Sequence, residues 1–207
     1  MELLLATTNS GKAVEMRSAL LGLPLGLRDL SMFPSIPRAD ESGATFSANA
    51  AAKAFHYHGH TRLPTVADDS GIIVEALANE LGIHTRRWGA GEAATDAEWI
   101  AHFLKRMERE ANRRARFVCA LAFIDDAGRT HHFEGVCDGE ITATLEAPIH
   151  PGLPLSSCFR PDSHVAVYSA LKPEQKNSTS HRGKALLAFR AFLEETLLKP
   201  SAPITTG

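Results

Sequence analysis

The chain begins with a buried-strand pattern that leads directly into a helix. Residues 3–6 form a short, unbroken apolar run, which is typical of a strand buried on both faces of a sheet. Residues 7–11 are polar and include a glycine, and Ser10 can cap a helix that continues to about Leu21. This strand–loop–helix unit indicates an α/β fold, and the unpaired amides at the start of its helix can bind an anion.

The rest of the chain mixes helical and extended patterns. Thr45 can cap a second helix, and Ser180 can cap a last one in which apolar residues recur at spacings of three and four. A further helix is expected over 96–112. Strands are expected over 65–67, 116–124, 131–136 and 140–145, with a hairpin connection at 125–128. Helices combined with a run of antiparallel strands predict an α/β domain around a mixed sheet.

The composition fits a globular domain and excludes several classes of protein. Of the 207 residues, 44% are hydrophobic and 22% are charged, which excludes a disordered or collagen-like chain. The net charge of −2 argues against a basic surface for nucleic acid, and no apolar run reaches the roughly 18 residues that cross a membrane. Three cysteines without CxxC spacing indicate reduced, buried thiols in a cytoplasmic protein. We expect one domain over 1–198 and a disordered tail over 199–207.

The first candidate binding segment lies at the turn that follows the opening strand. Hydroxyl groups, a glycine turn and a lysine beside a helix start can hold a phosphate group, although the Walker A spacing is absent. A helix start that is merely capped explains the same residues equally well. The segment consists of Thr7, Thr8, Asn9, Ser10, Gly11 and Lys12.

The second candidate segment is a loop glutamate followed by two polar residues on the second helix. Asn49 and Lys53 are four residues apart and therefore share one helix face, and Glu41 precedes them. A solvated glutamate and a solvated lysine explain this segment without any ligand.

The third candidate segment is a pair of adjacent acids, Asp68 and Asp69, followed by Ser70. We expect the two carboxylates at the end of a short strand, with their side chains on opposite faces of the sheet. One can then face a cleft while the other binds backbone amides. Carboxylate oxygens suit Mg²⁺, which keeps several waters and shares substrate phosphates. An Asx turn is the alternative interpretation.

The fourth candidate segment surrounds the start of the last helix. Lys176, His181 and Arg182 place cationic donors near a helix N-terminus, where anions are favoured. The arginine adds a planar fork that suits phosphate oxygens or stacking. A simple cap with a surface arginine remains the alternative. A separate cluster, HYHGH at 56–60, falls at a helix end and is interpreted as a solvated terminus rather than a metal site.

Taken together, these segments resemble one family, the inosine/xanthosine triphosphate pyrophosphatases, from Leu3 to about Leu198. Several motifs occur in the same order, which makes the resemblance stronger than any single motif. The matching stretches are ATTNSGKAVEM at 6–16, ESGATFSANAAAKA at 41–54, LPTVADDSGIIVEAL at 63–77, LGIHTRRWGAGEAATD at 81–96, RFVCALAFID at 116–125, EGVCDGEI at 134–141 and EQKNSTSHRGKAL at 174–186.

The resemblance implies a fold, a reaction and a cofactor. Members of the family have a long mixed, twisted sheet with flanking helices, bent into two lobes around a central nucleotide cleft. They are cytoplasmic homodimers that use Mg²⁺ to hydrolyse ITP, dITP or XTP to the monophosphate and pyrophosphate. No nucleic acid or membrane partner is implied.

The resemblance also implies roles for particular residues. Glu41 and Asp69 bind Mg²⁺, Asp69 also accepts a proton, and Lys12 and Lys53 complete the catalytic set. The first segment cradles the triphosphate. The remaining contacts to the nucleotide are made by Ser70, Lys176, His181 and Arg182.

The sequence departs from the family pattern at two places, and the first of them affects the base side of the site. The family has GFGYDPIF where this chain has GLPLSSCF at 152–159. Leu153 replaces the ring that stacks on the base, Leu155 replaces a tyrosine, and Ser156 replaces an aspartate. Ala48 replaces an acidic residue before Asn49. Since stacking of a base on a ring contributes ~1–3 kcal/mol, we expect the loss of the ring at Leu153 to change base preference or weaken binding.

Three functional hypotheses follow from the sequence. The first is a Mg²⁺-dependent pyrophosphatase that acts on non-canonical purine triphosphates. The second is cleavage of the same bond in a nucleotide with a different base. The third is a nucleotide-binding protein without turnover, which the retained carboxylates and lysines disfavour.

Overall fold

The computed structural model describes residues 1–77, 80–85, 88–91 and 93–197, with the side chain of residue 197 left out. The strands within these residues are β1 (Glu2–Leu5), β2 (Gly26–Asp29), β3 (Thr65–Val74), β4 (Arg114–Ile124), β5 (Thr130–Ile141) and β6 (Phe159–Pro161). The α-helices are α1 (Ser10–Ala19), α2 (Phe46–Thr61), α3 (Asp96–Met107), α4 (Pro173–Thr179) and α5 (His181–Phe192). The predicted tail over 199–207 lies outside the described residues.

The strands form one mixed sheet in the order β2-β1-β3-β4-β5-β6. β1 is parallel to both β2 and β3, whereas β3, β4, β5 and β6 pair in antiparallel fashion. This arrangement confirms the predicted mixed α/β sheet. The sequence analysis did not predict β2 and β6, because runs of four and three residues are too short to show an apolar period.

The strand that carries the two adjacent acids is longer than predicted. β3 continues through Asp68 and Asp69 to Val74, and β4 pairs with it over its whole length. The prediction that the strand ends at the acids was therefore wrong. The period of two still holds, and it sends the two carboxylates to opposite faces of the sheet.

Three further boundaries differ from the prediction. β5 is a single strand rather than two, and it continues through Gly139. A glycine is required at this position because a Cβ there would lie 2.3 Å from Arg160 O of β6. Asn9, not Ser10, caps α1, since the Asn9 side chain accepts a hydrogen bond from Lys12 N. α3 ends at Met107 rather than at residue 112. The predicted caps Thr45 of α2 and Ser180 of α5 are confirmed.

Helices cover both faces of the sheet and divide the core into separate apolar clusters. α5 and α1 pack on one face, where Phe189 and Met16 contact β4 and β1 residues. α2 packs on the other face through small residues such as Ala50 and Ala54. A third cluster, which includes Trp99 of α3, lies at the opposite end of β3 and β4. No helix within the described residues is long and apolar enough to cross a membrane.

Candidate active site

A pocket of about 800 Å³ is lined by residues of the Trp99 cluster and of the α2 cluster, and all four candidate segments line it as well. Most of the predicted site residues face this pocket, whereas Gly11, Asp68 and Asn49 do not. Those that line it are Thr7, Thr8, Asn9, Ser10, Lys12, Glu41, Lys53, Asp69, Ser70, Leu153, Leu155, Ser156, Lys176, His181 and Arg182. Residues far apart in the sequence thus come together at one place.

One side of the pocket, which we call the ionic side, is built around the buried carboxylate of Asp68. Lys12 Nζ lies 2.9 Å from Asp68 Oδ2 and Arg182 Nε lies 3.3 Å from the same atom. Ser70 Oγ donates to it at 3.2 Å. Burial alone would raise the pKa of Asp68, but the charges of Lys12 and Arg182 outweigh burial and hold that pKa well below its usual value. Asp68 therefore holds two cations in place from beneath the pocket floor.

Glu15 of α1 extends this network, although the sequence analysis did not identify it. Its carboxylate contacts Lys176 Nζ at 2.6 Å and also pairs with Arg182. Burial raises the pKa of Glu15, and the two cations more than reverse that effect. Glu15 stands three residues after Lys12 on α1, so both side chains share one helix face, and that spacing was the available signal.

The second carboxylate, Asp69, faces the pocket itself. Asn49 Nδ2 donates to Asp69 Oδ2 at 3.0 Å, and Lys53 Nζ contacts Asp69 Oδ1 at 3.3 Å. Asn49 Oδ1 also accepts from Gly43 N at 2.8 Å, which ties the loop that carries Glu41 to the same point. One face of α2 therefore orients Asp69, and the four-residue spacing correctly predicted that Asn49 and Lys53 share that face.

The same region can hold a divalent cation. Lys53 Nζ lies 3.7 Å from Glu41 Oε2 as well as 3.3 Å from Asp69 Oδ1. Two carboxylates that face one ammonium group concentrate negative charge in one region, and Mg²⁺ is commonly bound through one or two carboxylates. Among the described residues no three His, Cys, Asp or Glu side chains form a metal cage, so an ion here would complete its shell with water and phosphate oxygens, as Mg²⁺ prefers.

The turn before α1 forms the edge of the ionic side. Thr7 Oγ1 accepts from Asn9 N at 3.2 Å, and Asn9 Oδ1 accepts from Lys12 N at 3.0 Å. These bonds fix the turn so that the start of α1 faces the pocket. Gly11 lies beneath Leu153, whose Cγ is 2.8 Å from the position that a Cβ on Gly11 would take.

The other side of the pocket, which we call the apolar side, is lined by rings and aliphatic side chains. The imidazole of His181 stacks on Phe117 with ring centroids 4.5 Å apart and planes 11° apart. Tyr168 lies next to both rings. Leu155 is buried in the cluster around Phe117. The residues of this side that line the pocket are Trp99, Phe117, Leu153, Pro154, Leu155, Ser156, Tyr168 and His181.

His181 joins the two sides of the pocket. Burial lowers its pKa, and the charges of Arg182 and Lys12 lower it further, so the imidazole is neutral at pH 7. Its Nδ1 is buried without a hydrogen-bond partner among the described residues. The wall of the pocket therefore carries a neutral imidazole beside a charged arginine, and a neutral imidazole can both donate and accept a hydrogen bond.

Arg38 and Asp96 also line the pocket, and the sequence analysis identified neither as a site residue. Arg38 is exposed in the loop before Glu41, and Asp96 begins α3. No motif marks Arg38, and Asp96 is the last residue of the matching stretch at 81–96, in which nothing singled it out. Their place in the pocket depends on loop conformation, which local sequence patterns do not reveal.

The histidine cluster and the cysteines lie outside the pocket. His56, His58 and His60 contact the backbone oxygens of Pro37, Leu63 and His56, respectively, at the end of α2. All three cysteines are buried and unpaired. Burial raises the pKa of the Cys119 thiol to about 12, which makes it a core residue rather than a nucleophile.

The chain is similar to known proteins over nearly its whole length. A model of the Ham1 family matches residues 3–192. The chain is 34% identical over 210 residues to a dITP/XTP pyrophosphatase of Desulfotalea psychrophila, with 97% of this chain and 93% of that protein covered. It is 36% identical over 202 residues to a dITP/XTP pyrophosphatase of Coxiella burnetii, with 96% and 99% covered.

Solved structures agree with these similarities. A HAM1 protein from Coxiella burnetii superimposes with a TM-score of 0.80 at 35% identity, covering 94% of this chain and 99% of that chain. The Ham1 protein of Staphylococcus aureus superimposes with a TM-score of 0.79 at 29% identity, covering 94% and 98%. The sheet and its helices are therefore shared with these proteins.

Proposed function

The chain belongs to the Ham1 family, and we propose that it hydrolyses the α–β phosphoanhydride of non-canonical purine nucleoside triphosphates. Water adds across that bond, so the products are a nucleoside monophosphate and pyrophosphate. The similarity to dITP/XTP pyrophosphatases at about one third identity over nearly the whole chain supports this reaction.

The observation that carries the proposal is the convergence of charged groups from four separate segments on one pocket. Cations and carboxylates alternate along its ionic side, and each described pair is within ion-pair distance. Such a preorganised set of charges stabilises a polyanion and the charge that develops during phosphoryl transfer. The cations of this set are Lys12, Lys53, Lys176 and Arg182.

Within this proposal Asp69 accepts the proton of the attacking water. Asn49 and Lys53 each contact one oxygen of the Asp69 carboxylate. Because a carboxylate has about four acceptor sites, Asp69 can still accept a hydrogen bond from water. Asp68 cannot take this role, because it is enclosed by Lys12 and Arg182 beneath the pocket floor. The two neighbouring acids thus have separate tasks, one chemical and one structural.

The lysines bind phosphate in addition to the carboxylates that hold them. Lys53 lies between two carboxylates, and Lys12 projects from the first turn of α1. A triphosphate that enters the pocket offers both ammonium groups additional oxygens, while the amides at the start of α1 supply further donors. Positioning and charge neutralisation of this kind provide most of the catalysis in phosphoryl transfer.

Glu41 and Asp69 are the residues that would hold Mg²⁺. When bound, the ion would neutralise phosphate charge and lower the pKa of a coordinated water. The need for it follows from charge: among the described residues each cation of the ionic side already faces a carboxylate, whereas a triphosphate brings about four negative charges.

The decisive test measures products rather than substrate loss. Purified protein is given dITP, XTP, ITP and the canonical triphosphates with Mg²⁺, and monophosphate, pyrophosphate and orthophosphate are quantified separately. We expect pyrophosphate and monophosphate in equal amounts, with deaminated purines preferred. Orthophosphate as the first product, or no turnover of any triphosphate, would contradict the proposal.

A second candidate is cleavage of the same bond in a nucleotide with another base. Leu155 is buried in the core cluster, and Leu153 packs over Gly11, so neither supplies a ring for stacking. Adding pyrimidine and modified-base triphosphates to the panel decides between the two candidates, because a clear preference for inosine and xanthosine nucleotides excludes the second. Homodimer formation and a cytoplasmic location stay predictions from the family resemblance.

A further inference from the structure

The segment 151–153 lies in tight contact with the turn that begins α1. A Cβ added to Gly11 would lie 2.8 Å from Pro151 O and 2.8 Å from Leu153 Cγ. Gly152 has a φ of +75°, and a Cβ there would lie 2.6 Å from Asn9 Oδ1. The two glycines therefore permit an approach that any side chain would prevent.

Two hydrogen bonds hold the Gly152 peptide in this position. Asn9 Nδ2 donates to Gly152 O at 2.9 Å, and Gly152 N donates to Asp96 Oδ2 at 2.6 Å. Asn9 caps α1 and Asp96 is the first residue of α3, so one glycine is held between two helix starts. The bond to Asp96 has a charged acceptor, and such bonds are about twice as strong as neutral ones.

We infer that Asp96 is a positioning residue that sets the apolar side of the pocket through Gly152. The inference rests on the proposed function. Downstream of Gly152 the chain contributes Leu153, Pro154 and Leu155 to the pocket wall. This wall has little regular secondary structure. It contains an isolated bridge between His150 and Leu153 and a short 3₁₀ turn over Pro154–Ser157. Its placement therefore depends on how firmly Gly152 is held.

Replacement of Asp96 should impair recognition of the base and leave recognition of phosphate intact. For Asp96→Ala we expect KM for dITP to rise about tenfold, equivalent to ~1.4 kcal/mol, while kcat changes less than about twofold. Inhibition by inorganic tripolyphosphate, which has no base, should be unchanged. Asp96→Asn keeps an oxygen that can accept from Gly152 N, and it should restore part of the affinity.

A matched control separates this role from simple support of α3. Glu98 forms a capping box with Thr95 at the same helix start, but it does not line the pocket. Glu98→Ala should therefore lower the Tm by an amount similar to Asp96→Ala without raising KM. An equal KM increase in both variants would overturn the inference.

A second variant distinguishes positioning from direct contact with the substrate. Gly152→Ala displaces the same segment and leaves the Asp96 carboxylate in place, so it should also raise KM. The double variant should show less than the sum of the two effects, because both act through one peptide. An unchanged KM in Gly152→Ala would show that Asp96 acts on the ligand itself and would overturn the inference.

Failure of the inference is distinguishable from failure of the proposed function. Release of pyrophosphate from dITP by the wild type establishes the reaction before any variant is compared. If the wild type released no pyrophosphate, binding would be measured instead of KM, as the increase in Tm that dITP and tripolyphosphate each cause. Loss of the dITP effect alone in Asp96→Ala would support the inference, and an unchanged dITP effect would overturn it.

Discussion

The two sides of the pocket are built in opposite ways. The ionic side consists of charged side chains on regular elements, and these side chains hold one another through ion pairs such as Lys12 with Asp68 and Lys176 with Glu15. The apolar side consists of an irregular segment whose backbone is held from outside by Asn9 and Asp96. The difference predicts that substitutions on the ionic side affect chemistry and folding, whereas those on the apolar side affect selection of the base.

The largest expected effect is on catalysis at the ionic side. Asp69→Asn removes the proposed proton acceptor and keeps the shape of the side chain, so we expect kcat to fall by at least about 10³-fold, or ~4 kcal/mol. The Tm should change little. Asp40→Asn is the matched control, because Asp40 also lines the pocket and bonds to Ser42 instead. Undiminished activity in Asp69→Asn would show that Asp69 is not the proton acceptor.

The next effect concerns folding on the same side. Asp68→Asn removes the buried counter-charge of Lys12 and leaves Arg182 with Glu15 as its remaining acidic partner, and breaking a buried ion pair typically costs about 3 kcal/mol or more. Urea unfolding at pH 7 should show a loss of this size. A loss below about 0.5 kcal/mol would mean that Asp68 contributes no more than an exposed ion pair does.

The apolar side should respond through base affinity alone. Leu153→Phe places a ring where the base is expected, and stacking of this kind contributes ~1–3 kcal/mol. We expect KM for dITP to fall about tenfold, with inhibition by tripolyphosphate unchanged. Leu153→Met replaces the same side chain at nearly constant volume and without an aromatic ring, and it serves as the control. Tighter binding of both ligands would contradict the separation of the two sides.

The two sides should also lose stability in different pH ranges. The pKa of His181 lies well below its usual 6.5 in the folded protein, so the unfolded chain binds the proton first and stability falls as the pH drops below 6.5. The pKa of Asp68 is also lowered from its usual 3.8. Its contribution is complete above pH 3.8 and is lost only as the pH falls further.

Urea unfolding measures this contrast. Between pH 6.5 and 5.5 the wild type should lose about 1 kcal/mol more stability than His181→Gln, which has no imidazole to titrate. Equal losses in the two proteins would mean that His181 takes up its proton as readily in the folded state as in the unfolded chain.

The sequence analysis predicted how side chains of the ionic side are oriented, whereas for the apolar side it named Leu153, Leu155 and Ser156 without predicting what holds them in place. Asn49 and Lys53 share a helix face, and Asp68 and Asp69 alternate along a strand, so local periodicity already orients these side chains. The Gly152 peptide, by contrast, is held by Asn9, which is 143 residues away in the sequence, through backbone atoms that every residue carries. The glycine at 152 permits a close approach, but it does not reveal which distant residue lies opposite.

The same distinction explains the errors in the fold. The sequence predicts that the strand ends at Asp68 and Asp69, since two adjacent carboxylates are unusual inside a buried strand. The cost of burying them is met by cations from α1, α2 and α5, which local sequence does not show. Long-range electrostatic compensation thus overrode a local propensity, and it did so at the proposed active site.

The smallest expected effect concerns Arg38, which lines the pocket from an exposed loop. An exposed cation near a polyanion acts mainly through screened Coulomb attraction. Arg38→Ala should therefore raise KM for dITP about threefold at low salt, and the difference should disappear near 0.5 M salt, where the Debye length is only about 4 Å. Arg109→Ala removes the same charge from an exposed position outside the pocket. An equal increase in KM for Arg109→Ala would assign the effect to net charge, and a salt-independent increase for Arg38→Ala would indicate direct contact with phosphate.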